Sequence, residues 1–242
     1  MPLPKINTPS YELEIPSINK KIKYRPFLVK EEKILIIAME SEDPRQITDA
    51  VKTVISNCIL TRGIKVDELS TFDIEYLFLN IRGKSVGETV DLIFACDLDH
   101  GEQNEKAKAT VTVDLSTITV EKSPEHTNKI ELFGNVGVVM KYPTVDVIKK
   151  LEGFDANDLD TVFDIMALSI DYIYDGEQFY YGHEAQPNEM LEFVEGMNQE
   201  QFAKVENFFN NLPKLKETLD ITCSKCGFYH KIDVEGLENF FG

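Results

Sequence analysis

At 242 residues and 43% hydrophobic, the chain can bury one sizeable core or two small ones, which excludes a disordered polymer. Its net charge of −17 is uneven: residues 151–242 carry 19 acidic and 5 basic side chains (−14), residues 1–150 carry 23 and 20 (−3), and with that acidity nucleic acid, which needs clustered Lys and Arg, is not an expected partner. With no run of about 18 apolar residues and no apolar signal region after Met1, the expectation is a soluble protein of a reducing cytoplasm with no membrane partner.

In chain order, Tyr11, Leu13 and Ile15 alternate with Glu12 and Glu14, and Ile22 and Tyr24 alternate with Lys21, Lys23 and Arg25. That period of two predicts a β-hairpin turning through Pro16, Ser17 and Asn19 and stopped by Pro26. A helix follows, and then Asp43 as N-cap with Pro44 in the first turn opens a second one. Its stripe is Ile47, Ala50, Val51, Val54, Ile55 and Cys58. Ser70 as N-cap, Leu69 and Ile74 at the staple positions, and the stripe Ile74, Leu77, Phe78 and Ile81 predict a third helix stopped at Gly83.

From residue 88 the period changes to two. The runs 88–96 and 109–115 are rich in β-branched residues and predict a hairpin with a long connection at 97–108. Residues 117–142 add two or three strands broken at Ser123-Pro124 and Gly134-Asn135. Further on, Leu159, Val162, Phe163, Met166, Ile170 and Ile173 fall on one helical face, with Asp160, Asp164, Asp171 and Asp175 opposite. Two more helices are predicted over 187–196 and 199–212, the second capped by Asn198 with Gln201 and burying Phe202, Val205, Phe209 and Leu212. A last strand pair brackets Cys223-x-x-Cys226.

Several of these segments carry a family likeness. The block from Tyr11 to Ser41 with its Pro26-Phe-Leu-Val-Lys-Glu-Glu-Lys run, the helices Glu189-Met-Leu-Glu-Phe-Val-Glu-Gly-Met and Glu200-Gln-Phe-Ala-Lys-Val-Glu-Asn-Phe-Phe, and the terminal Cys-x-x-Cys resemble the baseplate hub assembly proteins of T-even-like contractile-tailed bacteriophages. The resemblance implies a minor hub subunit or an assembly chaperone, a late protein of virion morphogenesis that binds other hub or tail proteins. It implies the host cytoplasm during assembly and the virion baseplate as locations.

Catalytic signatures are absent: there is no Gly-x-Ser-x-Gly, no P-loop and no dinucleotide fingerprint in context. The expectation is therefore a non-enzyme with no catalytic or cofactor-binding residues. A weak internal repeat of strand, ligand pair, glycine and strand occurs at Cys96-x3-His100-Gly101 and at Cys223-x2-Cys226-Gly227. Brought together, Cys96, His100, Cys223 and Cys226 would form a Cys3His set suited to tetrahedral Zn²⁺, with His230 able to replace His100. Buried metal-free thiols are the competing reading, and a strand after the pair argues against a thioredoxin-like redox role.

The run Tyr172, Tyr174, Phe179, Tyr180 and Tyr181 fits either core or a protein interface, where Tyr is enriched. Acidity and aromatics together put the interface candidates in the second half and leave the N-terminal block as scaffold. The fold class is α+β: an N-terminal hairpin with helices over 1–86, a mainly antiparallel β region over 87–143, and an acidic helical region over 144–242 ending in the Cys-x-x-Cys hairpin. The alternative to a hub assembly role is a small adaptor or regulatory protein with a structural zinc site.

Overall fold

A computed structural model describes residues 6–96, 98, 108–150, 159–186 and 188–236. Among the described residues 37% are helical and 32% in strands, an α+β class, and none of their helices is long and apolar enough to cross a membrane. The chain divides into two compact units. One comprises Met1–Val66, Phe72–Glu121 and Lys214–Gly242, the other Asp67–Thr71 and Lys122–Pro213. The borders at 86 and 143 read from the sequence each fall inside one of these units.

In the first unit, strands β1 (Tyr11–Ile15) and β2 (Lys20–Tyr24) pair antiparallel, with Leu13 opposite Ile22. Alternation sends Ile15, Ile22 and Tyr24 into the core, and Asn19 takes the positive φ of 50° in the turn, a conformation its short polar side chain tolerates. Helix α1 runs Val29–Glu40 and packs on α2, Pro44–Cys58. Helix α2 starts at Asp43, whose carboxylate accepts the Arg45 N–H at 2.9 Å, with Pro44 in its first turn. It buries Ala50, Val54, Ile55 and Cys58.

Helix α3 spans Thr71–Val86, one turn past Gly83, which the sequence marks as the stop. The helix ends at Gly87, whose φ is 152°. Gly83 lies buried within it, and a Cβ there would just touch Glu88 and Leu115. A Cβ would fit at ordinary contact distance, so neither capping nor crowding requires glycine there. Strands β3 (Thr89–Ala95) and β4 (Lys108–Asp114) form an antiparallel pair, and β5 (Thr119–Glu121) follows.

The second unit is built on a sheet in the order β6-β7-β8-β9, comprising β6 (Lys129–Phe133), β7 (Val136–Met140), β8 (Ile170–Asp175) and β9 (Gln178–Tyr181). Helices α4 (Val145–Lys150), α5 (Leu159–Leu168), α6 (Glu189–Glu195) and α7 (Gln199–Asn210) complete it. The helix expected to run from Leu159 through Ile173 stops at Leu168. Ile170 and Ile173 belong instead to β8, which pairs with β7. The sequence Ile170-Asp-Tyr-Ile-Tyr alternates and is β-branched and aromatic, so pairing with β7 outweighs the 3.6-residue spacing. Leu159, expected on the buried face, is 72% exposed.

Helix α7 opens with a capping box: Asn198 accepts from the Gln201 N–H, and the Gln201 side chain accepts from the Asn198 N–H, both at 2.9 Å. The core gathers Ile130, Val138, Met140, Met166, Ile170, Val194, Val205 and Phe208. Each such side chain, fully removed from water, contributes about 1.5–3 kcal/mol.

The chain then returns to the first unit as β10 (Lys214–Thr222) and β11 (Tyr229–Glu235), in a sheet ordered β11-β10-β5. Leu215, Leu219 and Ile221 of β10 and Val234 of β11 join Leu79, Leu92, Val113, Leu115 and Ile118 in one cluster. This packing brings the end of β3 against the turn between β10 and β11.

Candidate metal centre and exposed apolar surfaces

Cys96 directly follows β3, and Cys223 directly follows β10. The turn between β10 and β11 closes when Cys223 N–H donates to the Phe228 carbonyl at 2.8 Å and Gly227 N–H donates to the Cys223 carbonyl at 2.9 Å. Gly227 has a φ of 70°, in the left-handed region that glycine enters without penalty. The sulfurs of Cys96, Cys223 and Cys226 all lie within 4.8 Å of one another, and no disulfide joins them. Cys96 and Cys223 are buried in mutual contact, whereas Cys226 is exposed.

Of the two histidines weighed for the fourth position, His100 lies outside the described residues. His230, in β11 opposite Ile221, places Nε2 3.2 Å from Cys96 Sγ. The Phe228 ring meets the His230 imidazole edge-on at 4.8 Å between centroids. A cavity of about 20 Å³ borders Cys96, Cys223 and His230. Burial raises the Cys96 thiol above its ordinary range; the Leu98 backbone opposes this, and the Cys223 and Cys226 sulfurs add to it.

The β8–β9 hairpin turns at Asp175-Gly176 and brings together the aromatic residues singled out from the sequence. Tyr172 stands opposite Tyr181, Ile173 opposite Tyr180 and Tyr174 opposite Phe179. The Tyr172 ring lies 5.7 Å from Phe179 and 5.6 Å from Tyr181. Phe179, Tyr180 and Tyr181 are exposed, and Tyr172 and Tyr174 half-buried. Beside them runs a groove of about 580 Å³ lined by Phe133, Ile173, Phe179, Tyr181, Met190 and Phe193, with Asp175, Glu184 and Glu189 also at its walls. Tyr174 crosses Gly137 of β7 so closely that a Cβ there would meet its hydroxyl at 2.2 Å, and Lys129 Nζ sits 4.9 Å above its ring.

Helix α1 is the surface that the sequence did not single out. Val29 is 80% exposed, Met39 66%, Ile37 55% and Ile36 50%, while only Ala38 and Glu31 of this helix are buried. The cause lies in the order of residues: Ile34-Leu-Ile-Ile-Ala-Met is apolar right round the helix, so one packed face leaves the others in water. Polar bonds at its start hold α1 in place. The Glu31 carboxylate, fully buried, accepts from Arg25 Nη2 at 3.1 Å and from the Leu28 N–H at 2.8 Å. Arg25 also donates to the carbonyls of Pro26 at 2.8 Å and Asn57 at 3.1 Å, tying β2, α1 and α2 together. Burial alone would raise the Glu31 carboxyl, but the Arg25 and Leu28 hydrogen bonds outweigh it and hold the group below the usual carboxylate range.

Searches among curated proteins and among solved structures return no match. A match to the T4 bacteriophage base plate proteins extends over residues 8–242, taking in the first hairpin, α1, the aromatic sheet and the cysteine turn. The chain belongs to the T4 bacteriophage base plate protein family.

Proposed function

We propose that this base plate protein is a non-enzymatic hub assembly protein, either a minor hub subunit or an assembly chaperone, that acts by binding other hub or tail proteins of the phage. The observation that carries the reading is α1, with Val29, Ile36, Ile37 and Met39 at least half exposed on one short helix. An apolar surface of that kind on an otherwise charged protein marks a protein contact, and family membership supports a baseplate protein as its occupant. The hub resemblance of the 11–41 block, which contains α1, supports the narrower assignment. Base plates are assemblies, so exposed apolar side chains are retained here for a partner to cover.

The β8–β9 aromatic hairpin and its groove form a second contact surface. Its acidic wall residues and the −14 balance of residues 151–242 fit a partner with a basic patch. The test is complementation of a phage lacking this gene. The double variant Ile36→Glu/Ile37→Glu should fold, because both positions are exposed, yet fail to support base plate formation. Normal yields of tailed particles with that variant would overturn the reading. Mass spectra of purified particles separate the two forms of the proposal, since a hub subunit is retained and a chaperone is not.

A further inference from the structure

We infer that Cys96, Cys223 and Cys226, with His230 as fourth ligand, form a closed structural Zn²⁺ site that staples the β3–β4 hairpin to the β10–β11 turn. The inference stands on the cluster's own geometry and is independent of the hub assignment. Ideal tetrahedral zinc with Zn–S bonds of about 2.3 Å places sulfurs about 3.8 Å apart. The three thiols already lie within 4.8 Å of one another, within about 1 Å of that spacing. On the same bond lengths, with Zn–N about 2.0 Å, a sulfur and an imidazole nitrogen sharing the ion sit about 3.5 Å apart. Cys96 Sγ and His230 Nε2 are 3.2 Å apart, close to that edge, whereas His230 falls outside the 4.8 Å circle of the three sulfurs and would turn toward the ion on binding.

Three further features point to a metal in preference to three idle thiols. Two buried cysteines and an exposed third converge from segments far apart in the chain, Cys96 and His230 being separated by 134 positions. The Cys223-x-x-Cys226-Gly227 turn has the hydrogen bond from Gly227 N–H to the Cys223 carbonyl and the positive φ at the glycine that let both sulfurs of a knuckle face one point. The adjoining cavity of about 20 Å³ is lined by Cys96, Cys223 and His230 together, so two of the thiols and the imidazole face one space. Soft thiolates with an imidazole select Zn²⁺ over Mg²⁺ or Ca²⁺, and a full set of four protein ligands makes the site structural, with no open position for catalysis. On binding, the three thiol protons leave to solvent and the ion is held by three thiolates and a neutral imidazole.

The site has a structural consequence. The β10–β11 pair rejoins the first unit only after the chain has traversed the second, and the ion would lock that late return. The test uses the full chain purified under reducing conditions from zinc-replete cells. Elemental analysis should find close to one zinc per chain, and Co²⁺ exchanged for it should give the visible and thiolate charge-transfer bands of tetrahedral sulfur ligation. His100→Ala should leave zinc in place, whereas His230→Ala should weaken retention against a chelating dye by about tenfold or more and Cys223→Ser should abolish it. Metal-free wild-type protein without cobalt bands, or a Cys96–Cys223 disulfide in its mass spectrum, would overturn the site. The wild-type readouts do not depend on any variant folding. Zinc lost with His100→Ala and kept with His230→Ala would overturn the fourth ligand.

Discussion

Arg25→Met isolates the buried ion pair that seats α1. Glu31 has no exposed side-chain surface and Arg25 only 14%, so the substitution leaves a buried carboxylate with the Leu28 N–H at 2.8 Å and Lys30 at 3.4 Å. Removing one partner of a buried pair costs about 3–5 kcal/mol, since the remaining charge keeps its desolvation penalty. Lys30 is 72% exposed, so its attraction is screened and recovers well under 1 kcal/mol. Loss of the Arg25 bonds to the Pro26 and Asn57 carbonyls adds to the cost, and a destabilisation of about 3 kcal/mol is expected. In the double variant Arg25→Met/Glu31→Leu no charge is stranded, and most of that loss should be recovered. The assay is urea unfolding of the single and double variants by circular dichroism, with amide exchange in α1 and α2 as the local readout. A single-variant cost below about 1 kcal/mol, or a double variant no better than the single, would refute the claim that this pair seats the helix.

Three other outcomes follow from the same structure. The Glu31 carboxyl is depressed in the folded protein, so its contribution is present above its unfolded value of 4.5 and fades as pH falls through the lower folded value; acid titration should loosen α1 amides before those of α7, and pH-independent exchange of α1 would contradict this. Gly137→Ala drives a Cβ to 2.2 Å from the Tyr174 hydroxyl and 2.4 Å from the Ile130 carbonyl, and should destabilise the second unit by about 2–3 kcal/mol; Gly134→Ala, whose Cβ meets nothing within 4 Å despite its φ of 52°, should cost less, about 1 kcal/mol. Binding of a baseplate partner to the acidic hairpin surface should weaken as salt rises, and affinity indifferent to ionic strength would argue against a basic partner.

Local signals in the sequence carried far where the chain's own chemistry sets the structure. Asp43-Pro44 and Asn198 with Gln201 are satisfied by neighbours within one turn, and α2 and α7 begin where those residues stand. Tertiary pairing was less legible. The spacing of Leu159 to Ile173 is helical, yet β7 captures Ile170-Asp-Tyr-Ile-Tyr as a strand; the Asp175-Gly176 pair was the turn signal that could have revealed the β8–β9 hairpin. Gly83 resembles a stop, yet α3 runs through it to Val86 and ends at Gly87, whose φ is 152°.

The cysteine cluster shows the same division. The repeat around Cys96 and Cys223 could be read from spacing, but the proximity of His230 to Cys96 depends on how two hairpins pack. The exposure of α1 was hidden for a different reason. An apolar run gives no hint of which side faces water, and the block read as scaffold carries Val29, at 80% the most exposed large apolar residue of the described helices. Ion pairing at Arg25 and Glu31 is similarly invisible, because Glu31 within Lys30-Glu-Glu-Lys33 looks like a solvated charge.

The most direct test of the central claim is site-specific photocrosslinking from α1 during phage assembly. A photoreactive side chain at Ile37, 55% exposed, should form an adduct with another baseplate protein, and Ile36→Glu should remove that adduct without unfolding the chain. Absence of any adduct to a phage protein, from cells in which base plates assemble normally, would contradict an assembly role exercised through this helix.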